Sequence, residues 1–176
     1  MCARVHKKPR RNLATALAIL LVLGFGLLSP SLKGQSATAQ AGGATKASAE
    51  QIINLTNQFR AKKGLKPLAP LGSLDIAAVG HSQEMLDLDY FSHNSPVTGK
   101  VGDRLRRAGA PWSACAENIY RSTGYPLEDV AEQTVDAWLR SPGHLKNIVN
   151  ANFTHIGVGV VYKNEEAVVT QVFIKT

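Results

Sequence analysis

Thr154-His155-Ile156-Gly157-Val158-Gly159-Val160-Val161-Tyr162 puts Ile156, Val158, Val160 and Tyr162 on one side of an extended chain. His155, Gly157, Gly159 and Val161 fall on the other side, where the two glycines leave room for another element to pack closely. Lys163 to Glu166 reads as a turn, and Ala167 to Lys175, rich in Val, Ile and Phe, as the return strand. Ala116 to Tyr120 is expected to add a third strand. The rest of the domain carries helical periodicity. Residues 50–63 align Ile52, Leu55, Thr56 and Phe59 on one stripe, with Lys62 and Lys63 in the last turn and Gly64 as the stop. Residues 72–88 align Leu74, Ala77, Ala78, His81, Met85 and Leu88, and a short basic helix runs from Gly102 to Ala108. A fourth helix starts at Pro126, buries Val130, Ala131, Thr134, Val135 and Trp138, and is broken by Ser141-Pro142-Gly143. Helices that must cover a small antiparallel sheet give an α+β class with layered packing.

The N-terminal segment has a different character. Residues 1–12 carry Arg4, Lys7, Lys8, Arg10 and Arg11 and no acid; Leu13 to Leu28 is almost wholly apolar, and Ala37-Thr38-Ala39-Gln40-Ala41 follows. That order is the pattern of a signal peptide over 1–41, cut after Ala39 or Ala41. The alternative is an uncleaved anchor, although the apolar run is short of the roughly 20 residues of a comfortable span. Arg10-Arg11 also admits the twin-arginine route. The expected destination is extracellular or periplasmic, with membrane contact only through the leader if it is retained. Gly42 to Ala49 reads as a flexible linker, and 50–176 as one domain.

Charge and cysteine content narrow the function classes. The chain has 20 basic and 13 acidic residues, a net charge of +7. Six of the basic residues and none of the acids precede Gly42, which leaves fourteen against thirteen, or +1, for the exported part. A nucleic-acid partner is therefore not expected. Cys2 belongs to the leader and Cys115 stands alone after it, so the exported part must be held by its core rather than by an internal disulfide.

Three polar residues carry the candidate chemistry: His93 in Tyr90-Phe91-Ser92-His93-Asn94-Ser95-Pro96, Glu117 in Ala116-Glu117-Asn118-Ile119, and His144 in Ser141-Pro142-Gly143-His144. Two imidazoles and a carboxylate suit zinc, with water completing a tetrahedron; calcium and magnesium suit the set less well. Equally, a buried Glu117 needs a cation or donors, and it can meet that need by bracing His93 or His144 with no metal at all. His81, on the apolar face of its helix, is expected to be a packing histidine with a ring nitrogen bonded internally; His81 and Glu84 do not form the paired zinc-protease pattern. Cys115, two residues before Glu117, reads as a small buried hydrophobe, with ligation of a soft metal as the other option. A Ser–His hydrolase built on Ser92 or Ser141 lacks a nucleophile elbow.

From about Asn54 to Phe173 the chain resembles the CAP superfamily of cysteine-rich secretory, antigen-five and pathogenesis-related proteins, in its bacterial SCP-like form. The phrases that carry the resemblance are Asn57-x-x-Arg60, Gly64-Leu65-x-Pro67-Leu68, Ala78-x-x-His81-Ser82-x-x-Met85 and Phe91-Ser92-His93. They continue with Asp103-Arg104, Glu117-Asn118-Ile119, Trp138-x-x-Ser141-Pro142-Gly143-His144-x-x-Asn147-Ile148 and Phe153-Thr154-x-Ile156-Gly157-Val158-Gly159. The resemblance implies a three-layer α–β–α sandwich with a cleft lined by two His and two Glu. His93, Glu117 and His144 match three of these positions. Ser141 stands where eukaryotic members have the second acid, and the family's disulfides are absent.

These readings together describe an exported binding or interaction module rather than an enzyme. Its ligand-binding cleft comprises His93, Glu117, Ser141 and His144, and His93, Glu117 and His144 are the residues available to a divalent cation that is not obligatory. The expected partner is a small molecule, a lipid or a cell-surface component. The alternative is a metal-dependent or Ser–His peptidase or esterase.

Overall fold

The structure, a computed structural model, describes residues 6–7 and 33–176, with side chains from Gly42 onward. Most of the expected leader thus lies outside the described residues. Among them no helix is long and apolar enough to cross a membrane. A two-residue strand β1 (His6–Lys7) is followed by α1 (Lys33–Lys62), β2 (Ala69–Pro70), α2 (Gly72–Asp87), α3 (Val101–Arg107) and β3 (Ala114–Thr123). Then come α4 (Leu127–Leu139), α5 (Pro142–Ile148), β4 (His155–Lys163) and β5 (Glu166–Lys175).

The sheet order is β1-β3-β5-β4-β2. The hairpin β4–β5 and the β3–β5 pair are antiparallel, as expected, while β1 and β2 add short parallel pairs at the edges and make the sheet mixed. The central strand β5 is buried on both faces, and its alternation sorts the layers. Ala167, Val169 and Phe173 join the core with Ile52, Val130, Val135 and Trp138 of α1 and α4. Val172 and Ile174 meet Leu74, Ala77, Ala78 and Leu105 of α2 and α3, and Val168 meets Met85. The result is helices on both faces of a sheet. Each large aliphatic or aromatic side chain so buried contributes about 1.5–3 kcal/mol.

Three boundaries differ from expectation. Helix α1 takes in Gly42–Ala49, the stretch read as a linker; Ser48 is buried and Ala49 packs on the core. Ala44, Ala47 and Ala49 favour helix, and the tertiary contact outweighs the neighbouring glycines. Pro126 is the cap residue rather than the first helical one, with extended backbone before α4. After the break at Ser141 the chain turns helical again, with Pro142 in the first turn of α5.

A Cβ on Gly157 would overlap Leu74 and the backbone of Asp75, and one on Gly159 would overlap the backbone of Ala78 and Val79. The glycine face of β4 therefore sets how closely α2 lies on the sheet. Gly159→Ala should cost about 3 kcal/mol, near the top of the usual overpacking range, because the contact is with backbone rather than with a side-chain tip. Gly80→Ala, on a helical position with open space around it, should instead gain about 0.5–1 kcal/mol. Urea unfolding of the two variants should show these opposite signs.

Candidate functional site

The site lies beside β3, where Glu117 is buried on the α2–α3 side of the strand. Its carboxylate is 3% exposed, and both oxygens are engaged. Oε2 forms an ion pair with the Arg104 guanidinium of α3, itself 4% exposed. Oε1 accepts from Nδ1 of His93 at 2.9 Å, and Nε2 of His81 lies 3.8 Å away. A guanidinium fixed in this way also donates to the carbonyls of Gly99 at 2.6 Å and His93 at 3.3 Å. Arg104 therefore clamps at once the carboxylate and the loop that carries His93. Breaking such a buried pair by removing one partner costs roughly 3–5 kcal/mol.

The loop between α2 and α3 is anchored from below. Glu84 of α2 accepts hydroxyl hydrogen bonds from Tyr90 at 3.1 Å, from Thr98 at 2.7 Å and from Ser95. Burial works against its ionisation, but the hydroxyls of Ser95, Thr98 and Tyr90 outweigh it and hold the carboxyl below its ordinary range. The Ser95 hydroxyl oxygen in turn accepts from the backbone of Val97 and Thr98, which closes the loop on itself. His81 is fully buried; its Nε2–H donates to the Ser92 carbonyl at 3.0 Å, and the Tyr90 hydroxyl lies 3.5 Å from Nδ1. Burial lowers the His81 pKa, so this imidazole is held neutral as a spacer between α2 and the loop.

His144 comes from α5, and polar contacts hold that helix to β3. Asn118 donates to the His144 carbonyl at 3.3 Å and to Oε1 of Gln171 at 3.0 Å, and Asn147 donates to Oδ1 of Asn118 at 2.9 Å and to the Glu117 carbonyl at 3.3 Å. The His144 ring lies 6.4 Å from the Trp138 ring, centroid to centroid. Burial first, and the neighbouring His93 second, lower its pKa. The structure thus brings His93 and Glu117 into direct contact and sets His144 near His93. Ser141 occupies the cap position of α5, three residues before His144, without a side-chain capping bond. The Ser92 hydroxyl oxygen accepts from the backbone of Asn94 at 3.1 Å, a local turn contact rather than that of a nucleophile. Cys115 packs against the α2–α3 core, and burial and then Glu117 push its thiol pKa up.

Whether a divalent cation suits this set can be judged from the carboxylate. Both oxygens of Glu117 already face donors, and a cation there would have to displace a buried guanidinium. Among the described residues no group of three or more His, Cys, Asp and Glu is arranged to hold a metal ion. As arranged, His93, Glu117 and His144 do not fit a metal. Arg104 and Glu84 complete the site, and the motif reading did not give either a role in it. The available signal was the rule that a buried carboxylate needs a cation; applied to the basic residues of the domain, it would have led to the helix containing Arg104.

The model of the family described as "CAP: Cysteine-rich secretory protein family" matches residues 53–173. YkwD of Bacillus subtilis is 40% identical over 137 residues, which are 78% of this chain and 51% of that protein. The Bacillus subtilis membrane protein YlbC is 38% identical over 128 residues, 73% of this chain and 34% of that protein. The crystal structure of an extracellular protein containing an SCP domain from Bacillus anthracis is 36% identical and superposes with a TM-score of 0.69, covering 86% of this chain and 45% of that one. The chain belongs to the CAP family and spans about half the length, or less, of these relatives.

The lowered pKa values give stability a pH dependence. His81 and His144 titrate below their ordinary value of 6.5 in the folded protein. As pH falls through 6.5, the unfolded chain takes up protons that the folded one refuses. Stability is therefore lost below pH 6.5, at up to about 1.4 kcal/mol per pH unit for each imidazole, until the folded pKa is reached. Urea midpoints should fall between pH 7 and pH 5, and His144→Gln should flatten that slope.

Proposed function

We propose that this member of the CAP family is an exported binding module whose cleft takes a neutral ligand bearing hydroxyl or amide groups. The observation that carries the reading is the engagement of both Glu117 oxygens by Arg104 and His93. With its charge answered inside the protein, the carboxylate offers little to a ligand. What remains for the cleft is the half-exposed His93 ring, whose Nε2 is opposite the bonded Nδ1, and the neighbouring His144, which burial keeps neutral. Imidazoles bind through single directional hydrogen bonds, which suits a sugar-like, peptide-like or lipid-headgroup ligand better than a bare ion. Export is supported by the basic, apolar, small-residue order of 1–41 and by the 36% identity to a protein described as extracellular.

A hydrolytic reading has one specific observation in its favour. A carboxylate on Nδ1 with Nε2 free is the arrangement that orients a histidine as a general base. Ser92 is turned to its own backbone, so water would have to be the nucleophile.

The two readings separate in one set of experiments. A panel of oligosaccharides, peptides and lipid headgroups should contain a class that raises the thermal midpoint of the wild type and shifts the His93 and His144 ring signals in NMR spectra. His93→Ala and His144→Ala should stay folded and lose both effects; a ligand at 100 times its Kd corresponds to about 2.7 kcal/mol of stabilisation. Turnover of a peptide or ester substrate, abolished by His93→Ala, would replace the binding reading with the hydrolytic one.

A further inference from the structure

We propose that Arg104 is the resident cation of this cleft and that the site is built to operate without a metal. His93, Glu117 and His144 are residue types that suit zinc, and the position a cation would need, against the Glu117 carboxylate, is filled by a guanidinium supplied by the chain itself. The substitution is specific in form. A metal at the carboxylate would need the lone pair of a His93 ring nitrogen. Here the His93 nitrogen that faces Glu117 is a donor, because a carboxylate that is ion-paired to arginine can only accept. Glu117 thereby keeps the proton on Nδ1, and Arg104 holds the carboxylate in place to do so. The same guanidinium holds the His93 and Gly99 carbonyls, so the cation orders the loop as well as the carboxylate, two tasks that a metal would otherwise join.

Arg104 acts through Glu117 and His93 and is a positioning residue. It is also no surface charge that happens to lie nearby. The other arginines of its helix are tied elsewhere: Arg106 pairs with Asp103 at 3.1 Å, and Arg107 donates to the Thr98 carbonyl. Among the described residues, Arg104 is the guanidinium that reaches Glu117.

The inference deepens the reading of the cleft as one for neutral ligands, and its test is independent of any ligand. Purified full-length protein is titrated with micromolar zinc while the His93 and His144 ring signals and the thermal midpoint are followed. The wild type should show no saturable change, and its His93 should carry the proton on Nδ1 in nitrogen-15 spectra. Arg104→Met should gain a thermal shift with zinc of several degrees, which Glu117→Gln in the same background abolishes. Arg104→Lys should restore the charge but not the loop contacts, leaving the tautomer near that of the wild type. Stoichiometric zinc binding by the wild type, lost in His93→Ala, would overturn the proposal, as would a folded Arg104→Met variant that shows no thermal shift with zinc. If Arg104→Met does not fold, the wild-type titration and tautomer decide the matter. A wild type that ignores zinc and also binds nothing in the ligand panel would sink the binding reading and leave the assignment of Arg104 standing.

Discussion

A carboxylate taken almost completely out of water must find a cation or several donors, and much of this molecule is arranged to meet that demand for Glu117. The strand that carries it pairs along its length with β5, which fixes its position and leaves no freedom to move the charge to the surface. The answer has to be brought to it, so α3 presents Arg104 from one direction and the loop after α2 presents His93 from another. Neither element has much core of its own to hold it there. Helix α3 is seven residues long, and the loop is held by hydroxyls on Glu84. The ion pair and the loop are therefore mutually dependent: Arg104 bonds the loop backbone, and the loop delivers the second partner of the carboxylate. A network of this kind is satisfied as a whole or costs more than an apolar core would.

The same logic explains residues that a functional reading of the motifs would overvalue. Asn118 and Asn147 lie on either side of the cleft segments, yet their amides join each other, Gln171 and the carbonyls of Glu117 and His144. Trp138 donates its indole N–H to the Ile119 carbonyl at 3.1 Å. Side chains of α4 and α5 thus occupy carbonyls along β3, which gives the strand's polar groups partners that an added strand would otherwise supply. Arg60 is 1% exposed and donates to the carbonyls of Ile148 and Asn150, closing the C-terminal end of α5 from α1. Asn57 exchanges two hydrogen bonds with Leu68 and pins the chain ahead of β2. These positions are recognisable because they hold backbone in place.

What could be read from the chain follows from how local each signal is. The hairpin, the helices at 72–88 and 102–108, and the buried stripe of α4 depend on side-chain alternation within one element, and these match the structure closely. Helix α5 was hidden because Ser141-Pro142-Gly143 ends one helix and opens the next, and seven residues give no periodicity to detect. The start of α1 is not legible in the sequence, because Gly42–Ala49 has the composition of a linker and Ala49 is covered only by the tertiary core. In the site, His93, Glu117 and His144 were legible as chemistry-bearing types. Their roles were not, because those depend on Arg104, thirteen residues before Glu117 and inside a helix whose exposed arginines disguise the buried one.

The glycines of β4 connect these two scales. Gly157 and Gly159 let the backbone of α2 settle onto the sheet at Leu74, Asp75, Ala78 and Val79. That depth is transmitted along the rigid helix to its next turns. There Ser82 donates to the Gly159 carbonyl at 3.1 Å and lies 2.9 Å from the Thr170 hydroxyl, from which it can accept, while His81 and Glu84 reach the loop. His81 separates the helix from Ser92 by one imidazole and Glu84 collects the hydroxyls beyond it, so the height of α2 above the sheet becomes the position of His93 above Glu117. The pattern that best identifies the fold, alternating valine and glycine in one strand, thus also bears on the spacing of His93 and Glu117 two strands away. A family resemblance carried by those glycines therefore bears on the geometry of the site as well as on the architecture around it.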